Sequence, residues 1–335
     1  MAPSQPTLTD LSLAQKVVLR WHLQRRPNQT PPDNDDWLVW LILAGRGFGK
    51  TRTGAEDLTE FLLFPPNPPT KPLRAAVVAP TFASARDVCI EGESGLLNTV
   101  PQPLIANWNR SMGELNLHPN PPHNPYPSLF KCYSSEEPEA LRGPQHHRAW
   151  CDELAAWKNM QDTWDMLMMG LRLGTNPRAV VTTTPKARPL IKDLLARPTT
   201  ALSTGSTFDN AENLSPAALD ELRRRYEGTR LGRQELYAEL LLDVEGALWT
   251  DAMIEPYRLP LRDPSRLVPN SPARDYVRVA VAVDPAVTSR RTSNLTGIVA
   301  GALTTQSYPS LTATHPRLTL PPSRHVDVLY DRSVQ

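Results

Sequence analysis

Lys50 and Thr51 close the run Ala44-Gly45-Arg46-Gly47-Phe48-Gly49-Lys50-Thr51, and they are the residue types that hold a nucleoside triphosphate with its cation. A lysine on a glycine loop reaches the β- and γ-phosphates, the next hydroxyl ligates Mg²⁺, and loop N–H groups point at the anion. Gly45 and Gly47 permit the tight turn, although the first glycine of the strict pattern is Ala44. Downstream, Asp152-Glu153 offers the second half of such a site. One carboxylate would serve the Mg²⁺ shell and the next would polarise an attacking water. The hydroxyls of Thr182-Thr183-Thr184 could sense a γ-phosphate, with a plain threonine-rich strand end as the other reading. Arg142 stands in a glycine-containing loop, where an arginine either stabilises charge on a transferring phosphoryl group or is simply solvated. Gln29, upstream of the loop, either reads an adenine edge through its amide or is solvated. Asp284 and Asp331 close two strand-like segments. Two carboxylates at strand ends begin a two-metal phosphodiesterase site, and turn aspartates are the bland alternative.

These residues need a scaffold, and the apolar patterning supplies one. Trp37–Leu43 reads as a buried strand entering the loop, and Arg52–Leu63 as the helix leaving it. Leu73–Ala79, Phe130–Tyr133, Arg148–Glu153 and Arg178–Val181 read as further strands. Thr81 can cap a helix running to Ile90. The strand–helix alternation predicts a parallel sheet covered on both faces. Ser12 and Gln15 form a capping box before a helix whose apolar face is Leu13, Val17 and Trp21. Ser215-Pro216 opens another helix, with Asp220/Arg224 and Glu221/Arg225 as exposed pairs, ended by Gly228; Leu231–Leu242 is its partner. Arg223, Arg224, Arg225, Arg230 and Arg233 make this region basic, as a solvated face or a DNA-backbone contact. Beyond a proline-rich stretch from Pro260, Val277–Val283, Gly297–Leu303 and His325–Asp331 carry β-patterning.

The 335 residues suggest two domains, and 40% hydrophobic against 21% charged content suits a globular chain with a real core. The 35 prolines gather in loops and a linker. A net charge of +1 means that a nucleic-acid partner must be met by local basic patches. Cys89, Cys132 and Cys151 have no paired spacing, which suits a reducing compartment. His118, His123, His146 and His147 lack zinc-ligand spacing and read as solvated loop histidines. No apolar run is long enough to span a bilayer, and Met1–Asp10 lacks a signal-peptide core, so an intracellular protein is expected.

Several stretches together resemble the large terminase subunit of tailed bacteriophages and prophages, the ATPase–nuclease that packages DNA into the procapsid. They are Trp40–Ala55, Val78–Leu97, Leu141–Trp157, Val180–Lys186 and Glu245–Thr250. The resemblance implies an α/β chain: a P-loop NTPase (a RecA-like parallel sheet with helices on both faces) followed by a partial RNase H-like α/β nuclease. It places the ATPase at 1–245 with a helical lid near 212–243, a linker at 246–272 and the nuclease at 273–335. It implies ATP and Mg²⁺ on Gly45, Arg46, Gly47, Phe48, Gly49, Lys50 and Thr51, with Asp152 on the metal and Glu153 as catalytic base. Thr182–Thr184, centred on Thr183, would be the coupling motif, Arg142 would act on a neighbouring subunit's nucleotide, and Gln29 would read adenine. Asp284 and Asp331 would be the first two nuclease ligands for Mg²⁺ or Mn²⁺. The chain departs from the family by ending at Gln335, soon after the second acid, and by a long Thr/Pro/Ser-rich segment at Thr304–Arg324. An intact ATPase with an incomplete nuclease is therefore expected. Its implied partners are double-stranded DNA, the portal protein, the small terminase subunit and further copies in a ring, without a membrane. Its implied location is the host bacterial cytoplasm, docked transiently on the procapsid portal. The competing readings are a helicase-like DNA translocase on the same core and a catalytically silent prophage remnant that only binds DNA or portal.

Overall fold

A computed structural model of the chain describes residues 11–33 and 36–241, together with three further strands at 276–284, 296–304 and 325–334. The Glu245–Thr250 motif, the expected linker at 246–272 and residues 305–324 lie outside the described residues. The chain divides into two compact units, Met1–Asp251 and Ala252–Gln335.

The first unit is built on one sheet of eight strands. They are β1 (Val39–Ala44), β2 (Leu73–Ala79), β3 (Ile105–Asn109), β4 (Glu114–Leu117), β5 (Ser128–Ser134), β6 (Arg148–Asp152), β7 (Arg178–Thr183) and β8 (Thr200–Gly205). Their spatial order is β3-β4-β5-β2-β6-β7-β1-β8. From β5 to β8 in that order every pairing is parallel. Every residue of β1 and β6 is buried, as strands covered on both faces must be, and continuous apolar runs encode that burial. Along β1, Leu41 and Leu43 pack with Val78, Val181 and Trp164 on one face. Trp40 and Ile42 pack with Phe48 and Val180 on the other, the two-residue period of a strand.

The expected parallel sheet is extended at one end by antiparallel strands. β3 and β4 pair antiparallel, and so do β4 and β5. β4 alternates half-buried with buried positions, the pattern of a strand with one wet face. The chain turns back before β4 at Gly113, where φ is +63°.

Helix α1 (Leu13–Gln24) carries the expected capping box: the Gln15 N–H donates to Ser12 Oγ at 3.2 Å, and the Ser12 N–H to Gln15 Oε1 at 2.8 Å. Its buried residues are Ala14 and Trp21, whereas Leu13 is half exposed. Leu13 sits one residue, about 100° of helix rotation, off the seam that meets the protein. Helix α2 (Lys50–Leu63) follows β1 through the glycine loop. Thr81 does cap a turn, accepting from the Ser84 N–H at 3.0 Å, but Ala85–Ile90 continues as a π-helix rather than an α-helix. His146 is buried, not solvated, with its ring edge-on to Tyr133. The helix at Pro216–Tyr226 forms after Ser215, and Arg224 pairs with Glu221 instead of Asp220. The predicted Leu231–Leu242 helix is shorter, spanning Arg230–Glu235. It stops there because the next carbonyls turn away to accept from other segments: Glu235 O from the Arg46 N–H and Leu236 O from the Thr207 N–H, both at 2.7 Å.

The second unit shows a three-stranded antiparallel sheet, β9 (Tyr276–Asp284), β10 (Thr296–Thr304) and β11 (His325–Val334), ordered β11-β10-β9. Asp284 stands opposite Gly297 and Asp331 opposite Val299. Those partners are two residues apart on β10, so the register puts both acids on one face. Asp284 ends its strand as expected, but Asp331 lies inside β11, which runs on to Val334.

Candidate nucleotide site

The glycine loop leaves the C-terminal end of β1 and turns into the N-terminus of α2, the crevice position at which open α/β sheets bind ligands. Gly47 and Gly49 adopt φ of +77° and +98°, where a side chain would be strained. Ala44 breaks the strict motif without conflict, because it is the last residue of β1 and its methyl packs in the cluster with Trp40, Ile42 and Phe48. The first N–H groups of α2 have no partner within their own helix and face the loop, an anion-binding end.

Lys50 is buried, and its Nζ donates to Ala44 O and Gly45 O, each at 3.0 Å. Glu153 Oε1 lies 3.7 Å from the same Nζ. Burial lowers the Lys50 pKa, opposed by Glu153 and Asp152, which favour its charged form. The loop lysine and the acid pair therefore meet although they are far apart in sequence. Asp152 ends β6 and pairs across the sheet with Thr182 of β7. The Trp150 Nε1–H donates to Thr182 Oγ1 at 2.8 Å, and that hydroxyl donates to Asp152 Oδ1 at 2.8 Å. Burial and the neighbouring Glu153 push the Asp152 carboxyl up to about 6.

Glu153 has φ +47° and ψ +47°, a left-handed conformation uncommon for a residue with a side chain. The turn after it is tied to β7: the Ala155 N–H donates to Thr183 Oγ1 at 3.0 Å, and the Thr184 N–H to Glu153 Oε2 at 3.4 Å. Thr183 thus links the end of one strand to the acidic turn at the end of the next.

The other predicted residues are placed less centrally. Thr51 is the second residue of α2, half buried. Phe48 is fully buried, and Arg46 is largely exposed with its Nε 3.8 Å from Glu235 Oε2. Arg142 is exposed and pairs with Glu139 at 3.0 Å in its own loop. Gln29 is buried rather than solvated: its Nε2 donates to Thr53 Oγ1 at 2.9 Å, and its Oε1 accepts from the Arg26 N–H at 3.3 Å. Its amide braces α2 behind the loop, so reading adenine would require exchanging those bonds. Asp284 and Asp331 belong to the second unit. Sequence reasoning missed Trp150 as a donor in the Asp152 relay, and missed Arg26, Thr207 and Asn210 around the loop. Their partners lie far along the chain, and no local spacing signals them.

The sequence matches a family described as the large terminase subunit, T4likevirus-type, N-terminal, over residues 41–256. No match is found among curated proteins. Among solved structures, the large terminase of a thermophilic bacteriophage aligns at 12% identity with a TM-score of 0.51, covering 87% of this chain and 64% of that one. The same protein in complex with ADP aligns at 13% identity and TM-score 0.50, covering 86% and 64%. The large terminase ATPase domain of Thermus phage P74-26 aligns at 17% identity and TM-score 0.47, covering 63% of this chain and 94% of that domain. The likeness to the thermophilic phage's large terminase establishes a shared fold, and this chain covers 64% of that one.

Proposed function

The chain belongs to the large terminase subunit family, and we propose on that premise that it is a Mg²⁺-dependent ATPase subunit of a motor that moves double-stranded DNA. One observation carries the reading: the Lys50 ammonium sits 3.7 Å from Glu153 beside the buried Asp152, at the mouth of a glycine loop. The thermophilic phage terminase in complex with ADP supports a nucleotide in this fold.

The residues suit a hard cation, since the Asp152 carboxylate and the Thr51 hydroxyl are oxygen donors on facing elements. Bound there, Mg²⁺ would neutralise charge on the phosphate oxygens. Lys50 would exchange its loop carbonyls for the β- and γ-phosphates, and the N–H groups of Gly47, Gly49 and α2 would hold the remaining oxygens. Glu153 would orient and polarise the water for in-line attack. Thr183, bound to the acidic turn, would pass on the state of that turn as a coupling residue. Arg142, exposed on its loop, would serve a neighbouring subunit's nucleotide in a ring, and Gln29 would sit at the adenine side. Because the chain spans 64% of the thermophilic phage terminase, the rest of the packaging cycle, including portal and small-subunit contacts, is part of this proposal. Asp284 and Asp331, on one face of the three-stranded sheet, would begin a nuclease site for Mg²⁺ or Mn²⁺.

The test is phosphate release from ATP by the purified chain beside Lys50→Ala and Glu153→Gln. Both substitutions are expected to abolish turnover, with Glu153→Gln still binding ATP. Wild-type rates in both variants would overturn the assignment.

A further inference from the structure

Three consecutive carbonyls of the glycine loop are each held from outside it. Thr207 Oγ1 donates to Arg46 O at 2.6 Å, and Asn210 Nδ2 donates to Gly47 O at 2.7 Å. Arg26 Nη2 donates to Phe48 O. Two of these donors are joined, since Arg26 Nη1 donates to Asn210 Oδ1 at 2.5 Å. The Arg26 guanidinium also lies over the Phe48 ring, 4.8 Å from its centre.

In a trans peptide the C=O and the following N–H point in opposite directions. Holding the carbonyls of 46 and 48 on the outer side therefore aims the N–H groups of Gly47 and Gly49 inward, while the hold on Gly47 O orients the Phe48 N–H, which closes the turn on Gly45 O at 3.4 Å. A glycine loop has little intrinsic preference for one such arrangement, because glycine is free in φ and loses much entropy when fixed. The donors stand on firm ground. Thr207 and Asn210 follow β8 directly, in a 3₁₀ segment started by a Ser206/Asp209 capping box, and β8 pairs with β1.

We propose that Arg26, Asn210 and Thr207 are positioning residues that fix the loop amides for triphosphate binding, an inference that rests on the nucleotide-binding reading above. They touch no phosphate themselves and act through peptide orientation.

Asn210 allows a discriminating test, because its two ends do different work. Asn210→Asp keeps an oxygen for Arg26 and strengthens that pair, but a carboxylate cannot donate to Gly47 O. Asn210→Ala removes both contacts, and the bond that Asn213 Nδ2 donates to the same Oδ1 at 2.9 Å, without adding charge. The experiment measures KM and kcat for ATP hydrolysis, ATP affinity by calorimetry, and the melting temperature of each full-length variant. The expected result is a rise in KM of about tenfold in both variants, the scale of one lost hydrogen bond, with kcat changed less than KM and the Asn210→Asp melting temperature at or above wild type. Arg26→Lys, which can still donate to Phe48 O, should recover part of the loss seen in Arg26→Ala. An unchanged KM in folded Asn210→Asp overturns the inference. So does a rise confined to Asn210→Asp, which would be charge repulsion. Wild-type protein that binds no ATP removes the functional reading itself, and the inference with it.

Discussion

Gly54→Ala adds one methyl group about one helical turn beyond Lys50, on the side of α2 that meets Trp150, and it should reach the Asp152 carboxylate. A Cβ on Gly54 of α2 would lie 2.3 Å from both Cε2 and Nε1 of Trp150, a fully buried ring on β6. That same Nε1 donates to Thr182 Oγ1, which in turn orients Asp152. Two effects oppose each other. Alanine in a helix interior gains about 1 kcal/mol over glycine. Overpacking a close-packed core costs about 1–3 kcal/mol, and breaking the indole hydrogen bond costs about 1 kcal/mol more. The cost wins, leaving a net loss of roughly 1–3 kcal/mol by that arithmetic. For a unit of this size each kcal/mol moves the melting point about 2–4 °C, so a fall of roughly 2–12 °C is expected. ATP hydrolysis should fall as well, because Asp152 loses the hydroxyl that orients it. The assay is thermal melting followed by circular dichroism, with phosphate release measured well below the transition. Adding Trp150→Phe to Gly54→Ala should restore part of the stability by removing the colliding atoms, but not the hydrolysis. A Gly54→Ala variant that melts at or above wild type with unchanged turnover would refute the reasoning, showing that the ring yields freely.

His146 is buried with neither ring nitrogen hydrogen-bonded, and burial, with Arg74 and His147 adding to it, lowers its pKa to about 4. The unfolded chain takes up this proton near the ordinary pKa of about 6.5 and the folded one only near 4, so stability is complete above the first and lost on acidification between them. His146→Leu should therefore be close to wild type at pH 7.5 in urea denaturation and gain on the order of 3 kcal/mol relative to it near pH 4; parallel pH curves for the two proteins would contradict this. Asp57 accepts from Arg148 Nε at 2.9 Å and Nη2 at 2.5 Å in a nearly closed site beside the Trp37 and Phe61 rings. Asp57→Ala strands that guanidinium and should cost about 3–5 kcal/mol in the same assay, whereas a loss below about 1 kcal/mol would mean that the aromatic rings alone hold the charge.

What could be read from sequence was what local spacing determines. The strand, glycine loop and helix at 39–63 are contiguous, so one motif specifies them. Asp152-Glu153 was legible because an apolar strand ends there. The Ser12 capping box was legible because both of its bonds close within four residues. What was missed depends on partners far away. Nothing near residue 210 says that Asn210 will cap Gly47, and nothing near Trp150 says that a glycine on α2 makes room for its indole. Gln29 was singled out for its amide, but that amide is turned inward to Thr53 by the packing of its own 3₁₀ turn. The helix at 231–242 has good local propensity and still ends at Glu235, because Arg46 of the glycine loop and Thr207 after β8 take the carbonyls of Glu235 and Leu236. The β3–β4 hairpin was hidden by short, half-exposed strands whose pattern is weak.

Glu153 shows why the conservative substitution is the right probe of this site. A non-glycine residue in the left-handed region costs on the order of 1 kcal/mol or more, and such strain persists only where its surroundings over-determine it. Here the restraints are visible: Ala155 N–H on Thr183, Ala156 N–H on Glu153 O at 2.8 Å, and the Trp157 indole N–H on Asp152 O at 2.9 Å. Glycine would relieve the strain at once, so the side chain has to justify its own backbone. Stability does not, since the carboxylate adds to the burden on Asp152 by raising its pKa. Its contact with Lys50 is long, at 3.7 Å, and more than a third of the side chain is exposed, so its contribution to folding is small. Under the proposed function, what the side chain would add is chemistry at the mouth of the loop. Glutamine at 153 keeps the Cβ, the strain and the turn while removing only the charge and basicity, so a loss of hydrolysis in Glu153→Gln would not come from a relaxed backbone. The same loss in Glu153→Gly would leave that ambiguity open.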